Sequence, residues 1–160
     1  MKKIYVLGIC IFVGLFTLLT ITQFSKDNES NEIKCISEFL ETYYTNEITV
    51  NTHDISDIKI FEKYMTNKAY EKFYTDRSYP YKLTGSIENI KITDIKIESI
   101  PNTDETYHTY YVSFTLSNNY NNKEKIVTNY TMNLEKEGNK WKISYNNNLY
   151  FLQKWLSETI

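Results

Sequence analysis

The stretches that decide the fold are YYVSFTL at residues 110–116 and IVTNYTMNL at residues 126–134. In both, apolar or aromatic residues recur at every second position, which is the period of a β-strand with one buried face. The polar segment NNYNN at 118–122 predicts the turn between them. The inward positions that we expect are Tyr110, Val112, Phe114 and Leu116 on the first strand and Ile126, Thr128, Tyr130, Met132 and Leu134 on the second.

One further strand is predicted after this hairpin. The segment EGN at 137–139 suits a tight turn, and Trp141, Ile143 and Tyr145 alternate after it. These three residues therefore predict a short final strand.

Another strand is predicted before the hairpin, and it is bent. Ile90 and Ile92 share one parity, whereas Ile95 and Ile97 share the other. A straight strand places these two pairs on opposite faces. A one-residue bulge at 93–94 brings all four to one face and bends the strand.

Helical spacing dominates the residues before this sheet. Apolar residues recur at three- and four-residue intervals over Asn31–Tyr44, which predicts an amphipathic helix. Ser56 and Thr66 are predicted N-caps of two further short helices. Residues 149–156 predict a terminal helix, with a fifth strand as the alternative.

Helices followed by a four-stranded antiparallel meander predict an α+β fold. We expect two to three helices packed on one face of a curved, cone-like sheet. The predicted organisation is a short cytoplasmic tail with a transmembrane anchor at 1–24, a polar linker at 25–30 and an extracytoplasmic domain at 31–160.

The anchor is predicted from an apolar run, Ile4–Thr22, that contains no charged residue. As a helix it spans about 28 Å, enough for the hydrocarbon core of a bilayer. Lys2 and Lys3 precede the run, so we expect a cytoplasmic N-terminus and a single-pass protein of the cell membrane. A cleaved signal peptide and a lipoprotein modified at Cys10 are the alternatives.

The order of elements resembles the cystatin-like cone fold of the nuclear-transport-factor-two-like superfamily. The segment FEKYMTNKAYEKF at 61–73 is similar to the second and third helices of such domains, and Trp141-Lys142-Ile143 to their last strand. The resemblance covers residues 31–146. With one transmembrane helix, the layout resembles the single-pass bitopic assembly protein of type IV secretion and conjugation systems, which implies a bacterial assembly role without catalysis.

Composition excludes several classes of protein. The net charge of −2 argues against nucleic-acid binding. Cys10 and Cys35 are too few for a disulfide scaffold or a four-cysteine zinc site, and we expect no metal and no cofactor. The sequence carries no phosphate-binding loop and no hydrolase or metalloprotease motif, so we expect no enzyme.

Two sets of strand residues are the candidate sites. Tyr110, Tyr130 and Tyr145 have inward parity and either form core or line a ligand pocket with their hydroxyls. The outward set is polar and uncharged, and is either solvated surface or a contact face for a protein or glycan. Its members are Tyr111, Ser113, Thr115, Asn129, Thr131 and Asn133.

The remaining reactive side chains favour structural roles. His53 lies beside Asp54 in a predicted loop, and His108 lies at the start of a strand. Cys35 falls inside the first helix, away from the N-terminal dipole that lowers a thiol pKa. A cone-type enzyme would take His53 or Asp94 as its base. Tyr43 and Tyr130 would be donors, but no spacing selects these residues.

We therefore expect a membrane-anchored assembly or scaffold component exposed outside the cytoplasm. Its expected partners are other membrane or cell-envelope proteins, or a second copy of itself. The alternative is a surface module that binds a small ligand inside the cone.

Overall fold

The computed structural model describes residues 30–45, 56–76, 78, 90–144 and 149–159. By its contacts the chain divides into two units, Met1–Ser30 and Asn31–Ile160. The predicted membrane segment at 4–22 lies outside the described residues, as do His53 and Tyr145. Within the described ranges no helix is both long and apolar enough to cross a membrane.

The described part of the chain is an α+β domain with a curled four-stranded sheet. The strands are antiparallel and lie side by side in chain order, β1-β2-β3-β4, as predicted for a meander. Its elements are α1 (Asn31–Thr45), a 3-10 helix (Ser56–Phe61), α2 (Asn67–Thr75), β1 (Ile90–Ile100), β2 (Tyr107–Asn118), β3 (Lys123–Glu137), β4 (Lys140–Ile143) and α3 (Tyr150–Thr159). This architecture is compatible with a cystatin-like cone.

The bulge predicted in the first strand is confirmed. The register between β1 and β2 shifts between Thr93 and Lys96. Asp94 has a φ of 55°, in the left-handed region that Asp tolerates better than most residues. As a result Ile92 and Ile95 both pack against the core.

A second bulge in β3 was not predicted. The register between β2 and β3 shifts between Val112 and Phe114, and Asn129 has a φ of 55°. The backbone N–H of Asn129 donates to the Ser113 hydroxyl at 3.3 Å. The strand therefore carries an extra residue and changes its parity there.

This second bulge corrects one prediction about the inner face. Ile126 was expected to point inward, but its side chain is 65% exposed, and Thr128 is exposed as well. Val127 is buried in their place. After the bulge the predicted parity holds, and Tyr130 and Met132 are buried.

Aromatic rings fill the space between the helices. Phe39 and Tyr43 of α1 contact Phe61 of the 3-10 helix and Phe73 of α2, with ring centroids 5.8–6.5 Å apart. Phe61 and Phe73 meet edge-on at 5.3 Å. The Thr66 hydroxyl caps α2 as predicted, since it accepts from the Ala69 N–H.

The C-terminal segment is a helix, α3, and not a fifth strand. Its Trp155 ring packs edge-on against Phe114 of β2 and Tyr130 of β3, with centroids 5.9 and 5.0 Å away. At its end, the Thr159 carbonyl accepts from the Asn118 side-chain amide at 3.2 Å. These contacts hold α3 against the inner face of the sheet.

The left-handed conformation at Asn129 gives a stability prediction. A branched residue pays about 1–2 kcal/mol in that conformation, so Asn129→Val should lower the free energy of unfolding by this amount. Asn129→Gly should leave it unchanged or slightly raised. Thr128→Val is the control, because Thr128 is the other exposed residue of the bulge but does not have a positive φ. Urea unfolding followed by tryptophan fluorescence measures all three. Equal stability of Asn129→Val and Thr128→Val would contradict a left-handed backbone conformation at Asn129.

Removal of the Trp155 ring should destabilise the domain. Trp155→Ala exposes parts of Phe114 and Tyr130, and because Trp155 is only partly buried we expect a loss of about 2–3 kcal/mol. The same urea titration measures it. Lys154→Ala, an exposed change on the same helix, should stay within about 0.5 kcal/mol.

Candidate functional site

The predicted interior tyrosines lie in the core as far as they are described. Tyr110 and Tyr130 are each 5% exposed on the inner face. Burial raises the pKa of the Tyr130 hydroxyl well above its ordinary range, and burial together with the Glu32 carboxylate raises that of Tyr110. Trp155 meets the Tyr130 ring at an interplanar angle of 87°. The third member, Tyr145, lies outside the described residues.

The outer face of the sheet, meaning the side opposite the helices, carries most of the predicted outward set. Tyr111 of β2 is 45% exposed and pairs with Glu98 of β1 and Thr131 of β3. Asn133 follows two residues after Thr131 and pairs with Thr109. The sheet thus brings Tyr111, Thr131 and Asn133 to one surface.

The outer face has an uncharged centre because its middle row belongs to β2. That row is Thr109, Tyr111, Ser113, Thr115 and Ser117. Asn129, predicted as an outward residue of a regular strand, is the exposed bulge residue at its border. Hydroxyl groups and one tyrosine ring therefore make up the central row, and Lys96 and Glu98 of β1 lie beside it.

The residues considered for catalysis are kept apart. The Tyr43 hydroxyl is buried and donates to the Ser78 carbonyl at 2.6 Å, whereas Asp94 is exposed on β1. Among the described residues no group of three or more His, Cys, Asp or Glu side chains is arranged to hold a metal ion.

Cys35 is a partly buried thiol of α1. Its Sγ lies 3.7 Å from the Tyr64 carbonyl, to which it donates. Burial and the nearby Glu38 carboxylate raise its pKa from 9.0 to about 11. A raised pKa disfavours the thiolate, so this environment suits a structural cysteine and not a nucleophile.

His108 belongs to a cluster that the sequence did not reveal. Its ring stacks on Trp141, with centroids 4.4 Å apart and planes 21° from parallel. Its Nδ1 lies 3.3 Å from the Glu32 carboxylate at the start of α1. On the same indole, the Lys136 Nζ lies 5.9 Å from the ring centroid. These contacts hold the Trp141 ring in one orientation.

An open groove of about 510 Å³ lies beside this cluster, and we call it the β4 groove. One wall is a face of α1, with residues at spacings of three and four. The other walls are the turn that follows the 3-10 helix and the start of β4. The lining residues are Asn31, Lys34, Cys35, Glu38, Lys63, Tyr64, Asn139, Lys140 and Trp141.

One wall of this groove could be predicted from the sequence, and the wall that faces it could not. The polar stripe on α1 follows from the helical period, since it lies away from the buried positions Ile36, Phe39 and Leu40. What the stripe faces did not follow, because β4 lies about a hundred residues further along the chain.

Comparison with known proteins adds no assignment to this geometry. No protein-family model matches the chain, and no curated protein matches it.

The raised pKa of Cys35 predicts slow alkylation. In a chain carrying Cys10→Ser, the iodoacetamide rate at pH 8 should be roughly 100-fold below that of a thiol with its ordinary pKa, because about two pKa units separate them. The rate should rise with pH until about 11, and unfolding in urea should restore ordinary reactivity. A folded-state rate equal to the unfolded one would show that the thiol is not shielded.

Proposed function

We propose that the protein is a non-enzymatic, membrane-anchored assembly component whose α+β domain binds other proteins outside the cytoplasm. One observation carries the proposal: the inner face of the sheet is occupied by the protein's own aromatic side chains. Trp155 covers Tyr130 and Phe114 there. Because the inner face is filled, we expect partner proteins to bind to the outer surfaces of the domain.

The outer face suits contact with a protein. Its central row is free of charge and contains the exposed Tyr111 ring. Tyrosine is enriched in interfaces and charged residues are depleted from their centres. The partners that fit are other envelope proteins or a second copy of this chain.

The proposal also covers the location of the protein and the complex to which it belongs. The apolar run at 4–22 after two lysines supports a single-pass anchor with a cytoplasmic N-terminus. This layout and the cone-like fold support a role in a conjugation or type IV secretion channel. That link is an analogy of fold and layout.

The alternative function is a surface module that binds a small ligand inside the cone. Such a ligand would lie among Tyr110, Tyr130 and Tyr145, and it would have to displace Trp155 from Tyr130. No contact among the described residues favours this alternative.

Crosslinking in intact cells tests the proposal. The full chain is crosslinked, extracted in gentle detergent and analysed by mass spectrometry for proteins that travel with it. Tyr111→Lys places a charge at the centre of the outer face and should reduce partner recovery at least about tenfold. The matched control is Tyr120→Lys, because Tyr120 is 82% exposed in the β2–β3 turn, away from this row.

Three outcomes count against the proposal. A protein that remains monomeric and without partners after crosslinking overturns the assembly role. Equal effects of Tyr111→Lys and Tyr120→Lys would remove the outer face as the contact surface. Localisation of the intact chain to the soluble fraction would overturn the anchor.

A further inference from the structure

The strand β4 lies at one edge of the sheet, and a short segment covers part of that edge. The Ile143 N–H donates to the Tyr64 carbonyl at 2.7 Å, and the Thr66 N–H donates to the Ile143 carbonyl at 3.0 Å. Met65 and Ile143 thus form a parallel bridge. Both backbone groups of Ile143 therefore point away from β3.

The covering segment leaves the edge immediately before Tyr64. The Tyr64 N–H donates back to the Phe61 carbonyl at 3.0 Å, which closes a tight turn. A continued parallel pairing would need this N–H for the Trp141 carbonyl. The turn therefore ends the pairing one step short of Trp141.

Trp141 consequently presents an open backbone edge. It lies two residues before Ile143, so its N–H and C=O have the same outward direction. Within the described ranges neither group has a hydrogen bond away from the sheet. Both groups therefore point to the side on which Tyr64 lies, and Tyr64 and Trp141 both line the β4 groove.

The charge of the groove selects the kind of segment that fits. Lys34, Lys63 and Lys140 line it together with one carboxylate, Glu38. Glu38 offsets one of these three charges, so the charged lining residues carry a net charge of +2. The groove is positive in a chain whose net charge is −2.

The opposite edge of the sheet is a poor competitor for the same segment. Strand β1 is bulged at Asp94, within its paired length. A bulge twists an edge strand and hinders strand addition. The open backbone edge, the lysines and the fixed Trp141 ring coincide at β4.

We propose that the β4 groove binds an extended acidic segment of a partner protein by strand addition. The segment's backbone pairs with Trp141, and its carboxylates meet Lys34, Lys63 and Lys140. The binding mode combines main-chain hydrogen bonds with side-chain charge. This inference goes beyond the proposed function, since it requires neither the membrane anchor nor the outer face.

Binding of short synthetic peptides to the full chain in detergent micelles tests this inference. The probe is a blocked, fluorescein-labelled hexapeptide with alternating valine and glutamate, measured by fluorescence anisotropy. Its counterpart with lysine in place of glutamate should not bind. A third peptide, methylated on alternate backbone nitrogens, keeps the charges but loses strand pairing, and it should bind at least about tenfold more weakly.

Charge reversal on the protein supplies the second measurement. Lys140→Glu should weaken the acidic peptide at least about tenfold, and the effect should shrink at high salt. Lys68→Glu is the matched control on the exposed surface of α2, outside the groove. The Tyr111→Lys variant should bind the peptide normally, which separates this site from the outer face.

The results that overturn the inference are distinct from one another. Equal binding of the methylated peptide means attraction by charge alone and excludes strand addition. Equal loss with Lys68→Glu and Lys140→Glu places the peptide elsewhere. No binding of the acidic hexapeptide at millimolar concentration removes the site.

Discussion

The curl of the sheet depends on two residues held in the left-handed backbone conformation, Asp94 and Asn129. Each adds one residue to its strand and changes the side of the sheet on which the following residues lie. The change lets Ile92 and Ile95 share the core face of β1, and Val127 and Tyr130 that of β3. Polar residues with short side chains tolerate this conformation, whereas branched apolar neighbours do not. The rest of the packing follows from these two bends.

A curled sheet encloses its inner face, and this protein fills that face with its own rings. Trp155 of the terminal helix rests on Phe114 and Tyr130, and the Tyr44 hydroxyl donates to the Leu152 carbonyl at 3.2 Å. A cone with an empty interior has a ready ligand site, but here the described interior is occupied. The outer face, with its uncharged central row, and the β4 groove are the surfaces that we propose for recognition.

The turn before α2 is joined to the sheet through the backbone of Ile143. Its two hydrogen bonds to Tyr64 and Thr66 place the turn before α2 beside the edge strand. The same pairing closes half of that edge and leaves the Trp141 half open. Packing between the helical layer and β4 is thus also what shapes the groove.

By itself the sequence determined the α+β class, the order of four antiparallel strands, the bulge at Asp94 and the cap at Thr66. These features are local, because they follow from residue spacing over a few positions. The Asn129 bulge was hidden, since Ile126 and Val127 are adjacent apolar residues and either parity satisfies the pattern; pairing with β2 decided between them. Only the tertiary structure decided the groove, because the polar stripe on α1 and the open edge at Trp141 meet through contacts between distant segments.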